Sequence, residues 1–169
     1  MKFHIKRRAW TLIEEFTVRD QDGQEAFKVK GKFFHIGDNL RVIDQASHAE
    51  VAHIQQKLIS LTHHYKIHEG TEHKATVHEK LLHFSGERFK ITLENGAIYH
   101  IDGSLREWDF TINDEKGNLL AEVGRRVSLL LDSYGINVAQ GVDAPFIIAL
   151  TIVFEMIHEK RGEGEKEKE

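Results

Sequence analysis

The chain has 169 residues, 40% hydrophobic and 30% charged, enough for one domain with a sizeable core and unlike collagen-like, mucin-like or wholly disordered sequences. Lys and Arg number 23 against 27 Asp and Glu, a formal net charge of −4 without the basic excess of a dedicated nucleic-acid binder, so no nucleic acid is expected as a partner. There is no cysteine, which excludes disulfides, thiolate chemistry and Cys-ligated zinc.

The opening MKFHIKRRAW is charged and lacks the roughly 7–15-residue apolar run of a signal peptide, so a cytoplasmic protein is expected, at most peripheral to a membrane. Phe16–Gly31 (FTVRDQDGQEAFKVKG) then returns as Phe89–Gly103 (FKITLENGAIYHIDG). Phe16 and Gly23 stand 73 residues before Phe89 and Gly96, and Phe27–Gly31 stands 72 before Tyr99–Gly103. An offset of 69 then places Ile43 on Ile112, Ala52 on Ala121, Ile54 on Val123 and Tyr65 on Tyr134. The constant order of these matches points to an internal duplication of about 70 residues.

Each copy reads as short strands. Phe27/Val29 and Tyr99/Ile101 alternate with polar neighbours, the period of a half-buried strand. Asp22-Gly23 and Asn95-Gly96 suit type I′ hairpin turns, and Lys116-Gly117-Asn118 is a similar turn. His73–Leu82 and Glu87–Leu93 add candidates around a break at Ser85-Gly86, and such runs total on the order of a dozen strands. Ala144–Ile157 (APFIIALTIVFEMI) is apolar on nearly every side, with Asp143 as a cap and Pro145 in the first turn. It is about 21 Å long as a helix, too short to span a bilayer, and Glu155 interrupts it. A helix apolar all round has to be enclosed, and a closed sheet wrapped around it is the economical answer. The expected layout is therefore one domain over residues 1–158, a central helix at about 144–157 and a charged, disordered tail at 159–169.

These residues resemble the LURP-one-related family, in particular its compact bacterial, YxjI-like members. The likeness is carried by Phe16-Thr17-Val18 with Asp22-Gly23, by Phe27–Gly31, by Ala52–Lys57, and most specifically by Tyr134-Gly135-Ile136 leading through Asp143 into the apolar run. The resemblance implies the tubby C-terminal-like fold shared with phospholipid scramblases: a mainly β, twelve-stranded closed barrel enclosing a hydrophobic C-terminal helix. It also implies relatives that associate with membranes and calcium or bind phosphoinositide headgroups. A calcium segment before the helix should be acid-rich, yet Tyr134–Asp143 (YGINVAQGVD) offers only Asp143, so calcium dependence is not expected.

Lys28, Lys30 and Lys32 are the candidate lipid-binding residues. If their strand continues past Gly31, all three face one side, a row for phosphate or anionic headgroups. Lysine is also the ordinary solvent face of a strand and a guard against edge pairing. Lys2, Lys6, Arg7 and Arg8 form a weaker basic cluster, and Arg125-Arg126 another. Of 12 histidines, His63, His64, His68, His73, His78 and His83 crowd one stretch. Spacings of five flip faces on a strand and HExxH is absent, so a metal is not expected there. Protonating every histidine would move the formal charge from −4 to +8, which suggests acid-strengthened affinity for anionic lipid.

No nucleophile elbow, P-loop, dinucleotide loop or complete calcium loop is present; Asp20-Gln21-Asp22-Gly23 starts one and stops. No catalytic residue, metal or cofactor is expected. The sequence thus favours a non-enzymatic binding or tethering module for an anionic phospholipid or membrane surface. The alternatives are an adaptor for an unknown protein partner and, third, an enzyme of unknown class.

Overall fold

Alternation of apolar and polar side chains organises twelve antiparallel strands in the computed structural model of the chain, described for residues 1–6, 15–32, 37–57, 62–80, 89–124 and 133–166. The strands are β1 (Lys2–Lys6), β2 (Glu15–Asp20), β3 (Glu25–Lys32), β4 (Asn39–Asp44), β5 (Glu50–Gln56) and β6 (His64–Glu69), followed by β7 (Glu72–Glu79), β8 (Phe89–Leu93), β9 (Ile98–Ser104), β10 (Asp109–Asn113), β11 (Leu119–Gly124) and β12 (Ser133–Val138). Each pairs with the next, and β1 pairs with β12, so the sheet closes into a barrel without free edges.

The helix α1 (Ala144–Lys166) fills this barrel. Every side chain from Ile147 to Ile157 is buried, whichever way it points. Phe154 meets Phe89 of β8 and Phe110 of β10 edge-on at 5.4 and 5.8 Å, Phe146 meets Tyr99 of β9 at 6.2 Å, and the helix also packs on β5, β6 and β12. The Phe146 amide donates to Asp143 Oδ1 at 3.1 Å, so Asp143 caps the helix as its position suggests. Buried Thr151 donates its hydroxyl to the Ile147 carbonyl at 2.9 Å, which removes the cost of a hydroxyl in the core.

α1 extends beyond the expected 144–157, and the charged segment expected to be disordered from 159 is helical as far as Lys166. Adding residues to a nucleated helix is cheap, and Glu, Lys and Arg are good helix formers that offset Gly162 and Gly164. Among the described residues no helix is long and apolar enough to cross a membrane.

The duplication maps strand on strand: β1–β6 correspond to β7–β12. The pairs Val42–Ala52 and Ile112–Ala121 correspond, and each is followed by a register shift, after Val42 and after Ile112. Pairing corrects the alignment by one residue: Ile112 corresponds to Val42 rather than to Ile43, and the offset of 70 in β4/β10 becomes 69 in β5/β11 because the turn between them is one residue shorter in the second copy. Gly31 and Gly103 form a second matched device. A Cβ on Gly31 (φ +152°) would lie 2.1 Å from the Asn39 carbonyl oxygen, and one on Gly103 (φ +111°) would lie 2.5 Å from that of Asp109. Only glycine lets β3 approach β4, and β9 approach β10, this closely.

The hairpin turns differ from the type I′ expectation. Gly23, Gly96 and Gly117 have positive φ, but among the described non-glycine residues only His48 and Trp108 do, so Asp22 and Asn95 do not supply the second positive φ of a type I′ turn. Asp20 explains the choice at the first turn: its Oδ1 accepts the amides of Asp22 and Gln24, both at 2.9 Å, while the Gly23 amide donates to the Asp20 carbonyl at 3.1 Å. The result is a type I turn closed by a left-handed glycine. Asp114 repeats the arrangement, its Oδ1 accepting the amides of Lys116 and Asn118 at 2.9 and 2.8 Å.

Candidate functional site

β3 runs through Gly31 to Lys32, so Lys28, Lys30 and Lys32 all project from the outer barrel surface while Phe27 and Val29 are buried. The structure then separates them. Lys28 is ion-paired with Glu15 of β2, the strand beside it. Lys30 lies 3.8 Å from the other oxygen of the same carboxylate, a loose and solvent-exposed contact. Lys32 is exposed.

On the side away from Glu15, register sets Arg41 opposite Lys30 and Asn39 opposite Lys32. Lys30, Gly31, Lys32, Asn39 and Arg41 line a shallow open groove of about 390 Å³. Gly31 contributes backbone alone between the two lysines. Arg41 reaches Glu50 at 3.6 Å, long enough to leave its guanidinium available to an anion. Asn39 Oδ1 meets His53 Nε2 of β5 at 2.7 Å, which sets the amide's direction in the groove. Three cations and an amide on a concave outer surface can bind a phosphate-bearing group through charge-assisted hydrogen bonds.

Arg41 and Asn39 were not singled out in the sequence. They become visible only through the β3–β4 register, which depends on where the chain re-enters the sheet after Lys32. The basic residues Arg7, Arg8, Arg125 and Arg126 lie outside the described residues, as does His83.

The histidines are arranged differently from what their spacing implied. Antiparallel pairing aligns residues from neighbouring strands, so His53 of β5 lies opposite His68 of β6, and His68 opposite His73 of β7. Their rings form a row at centroid separations of 6.3 and 5.5 Å, and His64 and His78 form a second pair at 5.2 Å. Pairing across strands therefore brings together side chains that a spacing of five along one strand would split between two faces. His63 stands apart, its Nδ1 2.5 Å from Oε2 of buried Glu79. Among the described residues no three His, Asp or Glu side chains group closely enough to hold a metal ion.

Burial holds His64 and His68 below the ordinary imidazole value of 6.5. For His64, repulsion from His78, Lys57 and Lys66 adds to it, and for His68, repulsion from His73, His53 and Lys66. Inside the barrel, Tyr65 donates its hydroxyl to Asp38 Oδ2 at 3.1 Å, and burial together with the Asp38 charge pushes that phenol far above its ordinary range. This is a neutral, structural tyrosine. Asp20 Oδ1 holds its turn and Asp143 Oδ1 caps the helix.

A family model described as LURP-one-related matches residues 1–155. A curated Bacillus subtilis (strain 168) protein, printed as "Uncharacterized protein YxjI", is 32% identical over 157 residues, covering 93% of each chain. A protein of Arabidopsis thaliana solved by X-ray crystallography superposes with a TM-score of 0.66 over 91% of this chain and 88% of its own, at 18% identity, which establishes likeness of fold.

Proposed function

The chain belongs to the LURP-one-related family, and from that premise we propose that it is a non-enzymatic binding module whose β3–β4 groove recognises the phosphate of an anionic lipid headgroup at a membrane surface. The observation that carries this reading is the convergence of Lys30, Lys32 and Arg41 with Asn39 around one groove. The barrel stays intact in this reading. α1 supplies the core, and withdrawing its large apolar side chains, at about 1.5–3 kcal/mol each, would exceed the stability of an ordinary domain. The protein then acts from the cytoplasmic side as a peripheral module, in keeping with a tubby-like and scramblase-like relationship.

Cosedimentation with vesicles tests the proposal. Phosphatidylcholine vesicles carrying phosphatidylserine should retain the protein at low salt, and phosphatidylcholine alone should not. At about 1 kcal/mol per cation near an anionic surface, K30Q/K32Q/R41Q should lose one to two orders of magnitude in partitioning. Undiminished binding by this variant would refute the groove. If no vesicle retains the wild type, the groove serves another partner and a protein adaptor becomes the better reading.

A further inference from the structure

The outer face of β5–β7 continues the groove as one surface. By register, Lys30 is followed by Arg41, His53, His68 and His73 across β3 to β7. His64 and His78 form a parallel row beside it, opposite Lys90 of β8. Lys66 stands between the two rows on β6, with neutral Gln55 and Thr76 as its cross-strand neighbours.

Carboxylates stand at the margins. Glu50 holds Arg41 at 3.6 Å, Glu69 holds Lys74 at 2.6 Å, and Glu72 lies opposite Glu69 at the turn. Glu79 is turned inward onto His63. The ring contacts themselves are to neutral groups: Asn39 Oδ1 to His53, Thr76 Oγ1 to His73 at 3.0 Å and Thr62 Oγ1 to His78 at 3.0 Å. The Nδ1 of His68 is buried and has no hydrogen-bond partner among the described residues. Among the described residues, no carboxylate therefore lies within the band to accept the charge that acidification would place on it.

We infer that this histidine band is a second anion-binding surface, recruited in mild acid, that extends the lysine–arginine groove across a membrane rich in phosphate headgroups. The inference rests on the proposed role of the groove. Crowded imidazoles repel one another's protons, and a layer of anions removes that repulsion. Anion binding and proton uptake must then favour each other by linkage. Clustered phosphates are the required chemistry, since a single small anion cannot lie against both rows. The absence of a three-ligand group among the described residues favours an anion over a metal ion.

The test is partitioning of the full chain onto phosphatidylcholine/phosphatidylserine vesicles from pH 7.5 to 5.5, at constant ionic strength and with a chelator present. At about fivefold per added cation at the surface, the wild type should gain roughly 20-fold or more across this range. H64Q/H68Q/H73Q/H78Q, which leaves His53 and its contact with Asn39 in place and is checked for folding by circular dichroism, should keep its binding at pH 7.5 and lose most of that gain. K30Q/K32Q/R41Q should lose binding at pH 7.5 and keep the gain. Sodium polyphosphate added as a soluble competitor distinguishes the source of the phosphate: displacement from vesicles only below pH 6.5 supports the band as a general phosphate surface. A gain that survives in the histidine variant, that occurs equally on phosphatidylcholine alone, or that vanishes in chelator would overturn the inference. A gain without any binding at pH 7.5 would support the band and refute the groove.

Discussion

The two halves of this barrel share a backbone plan and differ in what they present to solvent. Strands β1–β6 and β7–β12 repeat one another down to paired bulges after Val42 and Ile112 and paired glycines at 31 and 103. Outside, the correspondence stops. Lys28, Lys30 and Lys32 correspond to His100, Asp102 and Ser104; Arg41 corresponds to Thr111; His53 and His68 correspond to Glu122 and Asn137. Inward positions are constrained by packing around one helix and outward positions are not. The cationic coat of the first half is therefore not a requirement of the fold, and that makes it a candidate for function.

One inward position also departs from the symmetry. The residue before β4 is Asp38, which accepts the Tyr65 hydroxyl, whereas the residue before β10 is Trp108, stacked on the corresponding Tyr134 at 4.4 Å. The largest expected effect tests this pair. Trp108→Ala should cost about 3–5 kcal/mol, as loss of a buried indole does. Tyr65→Phe should cost about 1–3 kcal/mol, because it removes the buried hydrogen bond from the Tyr65 hydroxyl to Asp38 Oδ2. Denaturant melts compare the two, and equal losses would mean that the halves are not stabilised differently here.

The matched glycines should instead behave alike. Gly31→Ala and Gly103→Ala should each destabilise by more than about 1 kcal/mol, since both combine positive φ with a clash against a neighbouring carbonyl. A melt in which one is neutral would break the structural equivalence of β3 and β9.

The next effect is in pH. His64 and His68 titrate below 6.5 in the folded chain, so the unfolded chain takes up protons that the folded one resists. Their contribution is therefore intact above about pH 6.5 and is lost as pH falls through the lower folded values. Thermal melts should show a midpoint that falls in this window, and H64Q/H68Q should flatten the fall. A wild-type midpoint constant down to pH 5.5 would contradict the crowding of these rings. The smallest effect on stability comes from moving charge across the symmetry. D102K/T111R gives the second half two of the groove's cations and should change stability by less than about 0.5 kcal/mol while raising retention on anionic vesicles.

Much of the fold is legible in the sequence, because its signals are local. Alternation, the Asp-Gly and Asn-Gly turns and the apolar run after Asp143 each lie within a few residues, and the repeat shows as the same local signals returning in order. What lies across strands is not legible. Ile43 aligns one residue out of place because the turn after β10 is one residue shorter than the turn after β4, and only the pairing shows where the residue is lost. The lysine row could be read along β3, but Arg41 and Asn39 join it only through pairing. The histidines show the limit most plainly: a spacing of five separates His63, His68 and His73 along a chain, while folding aligns His53, His68 and His73 across three strands.

The central claim is that the β3–β7 face of the barrel, and not the β9–β12 face, meets an anionic surface. Because the chain has no cysteine, single cysteines at Gln55 of β5 and Glu122 of β11 can each carry one fluorophore on the outer face of corresponding strands. With a quencher attached to the lipid of phosphatidylserine-containing vesicles, the dye at 55 should be quenched and the dye at 122 should not. Equal quenching at both positions, or quenching at 122 alone, would contradict the account.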